Sequence, residues 1–339
     1  MMKLATGIVG VVLFAAVAAG VAFSKRDVRA ASAAGDHMVS QAQLDEWKTS
    51  LSNWGRWGKD DQRGTQNLIT PAKRKQAAAL VKEGFAVSLA RDANTEKSID
   101  NPQPYEDVMT NVSATGSGDR ISVSFHGYAH THFDGLAHHF LNGKLYNGYA
   151  HENVTMEGMA LKNAVINDKV GIFTRGILMD IPRLKGVPYL EPGTPIYVED
   201  LEAWEKQAGV KAGPGDVVFI RTGRWVRRAK LGPWEIGKQA AGLDPSVLPW
   251  IKQRDIAMLG SESALSAVPI PPQITNGDDY LPVHNFVLVA LGMNLFDDCD
   301  LDAVSEAAAA RKRWDFLLTA APLPMPKGTG SPINPTAVF

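Results

Sequence analysis

Cysteine is almost absent from this sequence, and its scarcity limits the kinds of site that the chain can build. Cys299 is the only cysteine among 339 residues. An internal disulfide needs two cysteines and a cysteine-rich zinc finger needs several, so both are excluded. If the chain binds a metal ion, imidazole and carboxylate groups have to hold it.

The sequence also lacks an excess of charge of either sign. The chain has 35 lysines and arginines and 36 aspartates and glutamates, which gives a net charge of −1. No basic stripe accompanies this balance, so nucleic-acid binding is not indicated. The glycine-rich loops of nucleotide-binding proteins and the Gly-x-Ser-x-Gly motif of many serine hydrolases are also absent from the sequence. A small molecule is therefore the expected partner.

Only the N-terminus carries a long uncharged apolar run, which covers residues 4–24. The run follows Lys3 and precedes KRDVRAASAAG, a pattern typical of a secretory signal peptide. Its length also approaches the ~20 residues that span a bilayer, so a membrane anchor formed by residues 4–24 is the alternative. We expect residues 1–36 to be a signal peptide or anchor with a linker, and residues 37–339 to be one exported domain, periplasmic or secreted.

The rest of the chain mixes helix signals with short apolar runs. Thr70 and Pro71 are typical of a helix start, and Gly84 of a helix end. VEDLEAWEKQAG has the spacing of an amphipathic helix, whereas GIFTRGILMD and GPGDVVFIRTG contain the apolar runs of buried strands. HNFVLVALGMNLF is compatible with either element. The predicted fold class is a mixed α/β fold without strict strand–helix alternation.

Histidine is concentrated in one short segment, SFHGYAHTHFDGLAHHF, which covers residues 124–140. It holds five of the eight histidines of the chain: His126, His130, His132, His138 and His139. If the segment up to Asp134 is extended, alternate side chains from His126 to Asp134 share one face. Neighbours on that face can meet one ion, whereas residues six apart on a straight strand are separated by roughly 20 Å.

The tightest group in this segment is His130, His132 and Asp134. His126 can join it only if Gly127 bends the chain. Imidazole and carboxylate together suit Zn, Mn, Fe or Co. His138 follows the end of the predicted strand and is interpreted as either a ligand or a proton carrier. His139 is expected to point away from the group.

The segment THFDGLAH, residues 131–138, resembles part of the signature of the cyclase-like metal-dependent hydrolases, which include kynurenine formamidase and isatin hydrolase. Further stretches are similar to that family in the same order along the chain: NWGRWGKDDQRGTQNLITPAKR, TRGILMDIP, PGDVVFIRTG and HNFVLVALGMNLFDDCDL. The resemblance implies a swivelling β/β/α fold, a homodimer or homotetramer, and a Zn or Mn centre that hydrolyses an amide, often a cyclic or formyl amide.

The same resemblance implies roles for individual residues. His132 and Asp134 would be metal ligands, and His138 would transfer protons. His284 would match a late histidine ligand, and Asp297 would stand where many relatives have a glutamate ligand, with Asp298 beside it as an equal candidate.

The sequence departs from the family signature at Tyr128, where relatives have their first histidine ligand. His130 or His126 would replace that ligand, which favours one metal ion over two.

These observations predict a metal-dependent hydrolase of a small amide, in which water attacks the carbonyl carbon and His138 serves as the acid and base. Aromatic side chains are expected to line the substrate pocket, with Trp57 and Tyr128 as candidates. The alternatives are a metal-dependent lactonase, an enzyme of the amidohydrolase type, and an exported metal- or ligand-binding protein without catalytic activity.

Overall fold

The computed structural model describes residues 37–339, so the predicted signal peptide or anchor lies outside the described residues. The described part contains eight α-helices: α1 (Gln41–Ser50), α2 (Pro71–Ala78), α3 (Ile181–Lys185), α4 (Val198–Ala208), α5 (Arg224–Leu231), α6 (Leu248–Arg254), α7 (Pro282–Val289) and α8 (Asp302–Arg311). None of these helices is long and apolar enough to cross a bilayer.

The same residues form fifteen strands: β1 (Ala86–Ser88), β2 (Glu106–Ser113), β3 (Gly116–Ser122), β4 (His132–Asp134), β5 (Val154–Thr155), β6 (Met159–Ala160), β7 (Ile172–Asp180), β8 (Pro195–Ile196), β9 (Val217–Arg221), β10 (Gly242–Leu243), β11 (Met258–Ser261), β12 (Leu295–Asp297), β13 (Asp315–Ala320), β14 (Gly330–Pro332) and β15 (Thr336–Val338). Nine strands build the main sheet in the order β1-β15-β13-β7-β9-β11-β12-β4-β14. The other six pair off as β2–β3, β5–β6 and β8–β10.

The main sheet has a parallel centre and antiparallel sides. Strands β7, β9, β11 and β12 run parallel, while β13 on one side and β4 on the other pair antiparallel to them. Every residue of β9 and β11 is buried, as expected for parallel strands that are covered on both faces. Apolar side chains of the helices complete one core on each face, with α4, α6 and α7 in one and α8 in the other.

Local signals placed most of the elements correctly. Helix α2 starts after Thr70, whose side chain accepts a hydrogen bond from the backbone of Lys73. The predicted end at Gly84 is wrong: the helix ends at Ala78, where the next backbone hydrogen bonds tighten to the carbonyl three residues back. Helix α4 ends at Gly209 in a left-handed conformation, which glycine adopts without strain. The ambiguous segment HNFVLVALGMNLF contributes first to α7 and then to β12, with a turn at Gly292 between them.

The predicted extended run through the histidine segment is wrong. Only His132–Asp134 form a strand, and residues 123–131 contain neither helix nor strand. Both partners of β4 are equally short: β12 pairs Asp297 opposite His132, and β14 pairs Pro332 opposite His132. Outside these three paired positions, no other strand among residues 37–339 pairs with this segment, so no ladder of backbone hydrogen bonds holds it extended.

Candidate metal centre

The centre lies where four segments meet around β4. The strand itself carries His132 and Asp134, and its antiparallel pairing with β12 places Asp297 directly opposite His132. Helix α7, in which every residue is buried, contributes His284. The loop before β4 brings His126 back toward the strand.

Asp134 is the middle of the cluster, and its two carboxylate oxygens face different partners. Its Oδ1 atom lies 2.9 Å from His126 Nδ1 and 3.4 Å from His132 Nε2. Its Oδ2 atom lies 3.1 Å from His284 Nε2, which in turn is 3.2 Å from Asp297 Oδ2. Within residues 37–339, two groups therefore have the geometry to hold a cation, and they share Asp134.

Several atoms of these groups lack the hydrogen bonds that buried polar atoms normally make. His126 Nδ1, Asp134 Oδ1 and Asp297 Oδ1 are buried without a hydrogen-bond partner. His126 Nδ1 and Asp134 Oδ1 are close but not aligned for a hydrogen bond with each other. Ligand atoms that converge on one ion at about 2.1 Å have this kind of spacing. The donor set fits a divalent cation that accepts nitrogen and oxygen ligands, such as Zn or Mn.

The charges of the cluster hold protons on two of its imidazoles. Burial lowers the pKa of His132 and His284, but the carboxylates of Asp134 and Asp297 raise it more, to about 9 for His132 and about 10 for His284. For Asp134 the balance is opposite: burial raises its pKa, and the nearby imidazoles bring it well below its ordinary value. Binding of a cation therefore has to displace protons from the imidazoles, since only neutral imidazole is a ligand.

His138 lies beside the cluster rather than within either group. Its ring stacks on the His126 ring at a centroid distance of 3.7 Å, and its Nε2 atom is 3.8 Å from Asp134 Oδ2. Burial lowers the pKa of His138 well below its ordinary value. The imidazole is therefore neutral near pH 7 and keeps a nitrogen lone pair that faces the cluster.

The structure does not bring His130 or Trp57 into the cluster. The His130 side chain lines a separate cavity with Arg91 and Tyr105, and only its backbone carbonyl reaches the site, 2.8 Å from His132 Nδ1. Alternation along a strand placed His130 on the ligand face, but alternation does not apply to an irregular segment. Trp57 is half-buried elsewhere and stacks against the guanidinium of Arg56.

Tyr128, which the sequence suggested as a substrate contact, lines the same cavity as the cluster. Burial, together with the carboxylates of Asp298 and Asp297, raises the pKa of Tyr128 to about 12. Its phenol therefore stays protonated and can donate a hydrogen bond.

His139 was expected to point away from the site, and this was wrong. Its ring lies 4.7 Å from the His284 ring, and its Nδ1 atom is 3.3 Å from the hydroxyl of Tyr280. Sequence reasoning missed Tyr280 itself, together with Ala264 and Leu281, which also line the cavity. The only local signal was proximity: Tyr280 precedes His284 by four residues.

The cavity over the cluster has a volume of about 210 Å³. A larger cleft of about 540 Å³ adjoins it and shares His138, His139 and Tyr280 as walls. The reactive part of a substrate therefore has to be small, while a substituent has room beyond Tyr280.

Comparison with known proteins identifies relatives of the whole domain. The putative cyclase family model matches residues 79–265. The crystal structure of a novel cyclase shares 31% identity, covers 86% of this chain and 100% of its own, and superposes with a TM-score of 0.75. None of the curated proteins matches the chain.

Two isatin hydrolases are more distant and support the fold alone. One, bound to the product analogue thioisatinate, is 17% identical, covers 81% of this chain and 98% of its own, and has a TM-score of 0.50. Isatin hydrolase A from Labrenzia aggregata, bound to benzyl benzoate, is 17% identical. It covers 78% of this chain and 96% of its own, and has a TM-score of 0.53. The predicted fold class of the cyclase-like hydrolases is confirmed. Because the family model matches more than half of the chain and the novel cyclase is similar along its entire length, the chain belongs to the putative cyclase family.

Proposed function

We propose that this protein is a metal-dependent hydrolase that cleaves the carbon–nitrogen bond of a small amide, either cyclic or formyl. The observation that supports this most directly is the position of Asp134 between two ligand groups, with the imidazole of His138 free to act beside them. A protein that only stores or carries a metal needs the ligands but has no use for a half-buried neutral imidazole next to them.

The proposed ligands of the divalent cation are His126, His132 and Asp134 on one side, with His284 and Asp297 on the other. The cation supplies a Lewis acid that polarises a carbonyl group and lowers the pKa of water. We propose one ion per chain. A count of two per chain would instead indicate that each ligand group holds an ion and that Asp134 contributes to both groups.

The remaining residues of the site move protons and orient the substrate. His138 takes a proton from the attacking water and returns it to the leaving nitrogen, because its depressed pKa keeps it unprotonated at the start of the reaction. The phenol of Tyr128 remains a hydrogen-bond donor and can stabilise negative charge that develops on the carbonyl oxygen. Ala264 and Leu281 provide apolar walls that restrict water.

The size of the cavity supports a compact substrate. Its volume of about 210 Å³ is below the ~300–1,000 Å³ that is usual for pockets that bind drug-sized ligands. A five-membered lactam or a formamide group fits within such a volume. Isatin, after which two structures of this fold are named, is itself a cyclic amide.

The proposal is tested with protein stripped by a chelator and reloaded separately with Mn²⁺, Zn²⁺ or Co²⁺. We expect turnover of at least one formamide or lactam with one of the reloaded forms and none with the stripped form. Hydrolysis of lactones alone would shift the assignment to a lactonase. Inactivity toward all three substrate classes with every metal would contradict a hydrolase.

We also propose that the chain assembles as a homodimer or homotetramer through the β2–β3 hairpin. All eight residues of β2 are exposed, and apolar side chains lie on the outside of the hairpin: Val108, Met109, Val112 and Ile121. A two-stranded hairpin exposed on both faces has little stability of its own, so a second copy that covers it would stabilise it.

Val112, with 74% of its surface exposed, is the natural position for a test. We expect Val112→Glu to shift the protein from a dimer or tetramer toward the monomer in sedimentation velocity experiments. Val187→Glu, at another exposed valine outside the hairpin, is the matched control and should leave the assembly unchanged. A wild-type protein that sediments as a monomer would refute the proposal.

A further inference from the structure

The arginine at the start of α5 is buried, although it lies outside both ligand groups. Only 3% of the surface of Arg224 is exposed, which is rare for an arginine unless the residue is fully engaged by partners. Its guanidinium stacks on the ring of Trp225 at 4.1 Å. The sequence gives no hint of this burial, because the RTGRW segment reads as a polar turn.

The guanidinium of Arg224 contacts three separate segments that surround the metal centre. Its Nη1 atom donates to Asp298 Oδ1 at 2.5 Å and to the backbone carbonyl of Glu262 at 2.6 Å. Its Nη2 atom donates to the backbone carbonyl of Tyr128. One side chain therefore connects the loop before β4, the end of β11 and the segment after β12.

The loop before β4 depends on side-chain contacts such as those of Arg224 more than the end of β11 or the segment after β12 does. Residues 123–131 form no helix or strand, so no backbone ladder fixes their path. This loop carries His126 and Tyr128, whose positions determine one ligand and one wall of the cavity. The bond from Arg224 to the carbonyl of Tyr128 attaches the loop to the core two residues after His126.

A second connection runs from Arg224 toward the ligand His132. Asp298, which receives the bond from Arg224, has its other oxygen, Oδ2, 3.8 Å from His132 Nδ1. That oxygen is buried without a hydrogen-bond partner. The hydrogen bond that fixes the ring of His132 goes from Nδ1 to the backbone carbonyl of His130 at 2.8 Å, and Asp298 adds a negative charge beside the ring. The orientation of Asp298 in turn depends on its ion pair with Arg224.

Arg224 is itself held in place by the carboxylate of Glu262. Glu262 Oε2 accepts hydrogen bonds from three consecutive backbone N–H groups, those of Thr222, Gly223 and Arg224, at 2.6–3.2 Å. This carboxylate caps the N-terminus of α5, where Gly223 supplies no side-chain cap of its own. The backbone of Arg224 is therefore fixed, and this limits the positions that its guanidinium can take.

We propose that Arg224 is a positioning residue of the metal centre: it holds the loop of residues 123–131, which carries His126 and the carbonyl of His130 that fixes the ring of His132, in the arrangement that binds the cation. This inference rests on the metal-binding role proposed above. Arg224 does not touch the ligand atoms, so its effect is on their arrangement and not on the chemistry itself.

The neighbouring Arg221 provides a matched control. It is also buried, with 8% of its surface exposed, and it pairs with Asp180 and Asp302 at 2.9 and 2.7 Å. None of these contacts involves the loop before β4 or Asp298. Loss of either arginine leaves buried carboxylates without a partner and destabilises the fold. Arg221 also feels the charge of Glu262, so Arg221→Ala controls for the loss of a buried cation in this region.

The test measures Zn²⁺ and Mn²⁺ affinity by competition with a chelating indicator, at a temperature where circular dichroism shows each variant folded. We expect Arg224→Ala to weaken affinity by roughly 10–100-fold, the usual effect of losing an outer-shell partner. Millimolar guanidinium should restore part of that loss. Arg221→Ala should keep the wild-type affinity and show no response to guanidinium.

Equal affinities of the two alanine variants, or a loss in Arg224→Ala that guanidinium does not reverse, would overturn the proposal. If Arg224→Ala does not fold, the metal affinity of Arg224→Lys is compared with that of Arg221→Lys instead. An ammonium group cannot reach all three acceptors at once, so Arg224→Lys should also weaken metal binding. Affinity is measured without substrate. A wild type that binds metal but hydrolyses nothing would therefore refute the proposed function and leave this inference standing.

Discussion

Asp134→Asn is expected to abolish tight metal binding and, with it, hydrolysis. The substitution keeps the shape of the side chain but removes the charge that both ligand groups share. We expect affinity for Zn²⁺ or Mn²⁺ to fall by roughly 10³-fold, which corresponds to several kcal/mol of lost ligation. Isothermal titration with each metal measures the loss directly. The pKa of His132 and of His284 should fall as well, because the Asp134 carboxylate helps to raise both.

Asp216→Asn is the matched control for this substitution. Asp216 is equally buried, but its carboxylate pairs with Arg175 and Lys73, away from the metal centre. Both variants lose a buried charge and some stability, and only Asp134→Asn should lose metal. If the two variants bind metal equally well, Asp134 is not a ligand and the proposed centre is incorrect.

His138→Ala is expected to separate catalysis from metal binding. His138 lies 3.8 Å from Asp134 but belongs to neither ligand group, so the variant should retain its metal content. Loss of a positioned general acid and base lowers the rate by roughly 10²–10⁴-fold. The measurements are metal content by mass spectrometry and kcat on whichever amide the wild type hydrolyses.

His37→Ala is the control for His138→Ala. His37 lies outside the site, where its ring stacks on Tyr197, so turnover should be unaffected. A parallel loss of metal and activity in His138→Ala would make His138 a ligand and not a proton carrier. Unchanged turnover would remove it from the mechanism altogether.

Elements whose signals are local could be predicted well from the sequence. The cap at Thr70 and the amphipathic helix VEDLEAWEKQAG depend on residues that are close in the chain, and both appear where expected. The pair His132 and Asp134 is also local, because residues two apart on a strand share a face. His284 and Asp297 could not be inferred from spacing, and only the family resemblance indicated them.

The choice between His126 and His130 shows where local reasoning fails. Both lie in the same short segment, and strand alternation placed both on the face of Asp134. In the fold the chain leaves the strand before His132, so His130 faces a different cavity while His126 reaches Asp134 Oδ1. Which histidine reaches the aspartate depends on how residues 123–131 are attached to the core. Arg224 makes one of those attachments from nearly a hundred residues further along the chain.

The amino-acid sequence by itself determined the chemical groups that this protein can offer: imidazoles concentrated beside a carboxylate in one short segment, and a single cysteine. The tertiary structure alone decided which of those groups meet. The pairing of β4 with β12 places Asp297 opposite His132, and the packing of α7 places His284 against the second oxygen of Asp134. These contacts join residues 150 or more positions apart, and no pattern within a short segment contains that information.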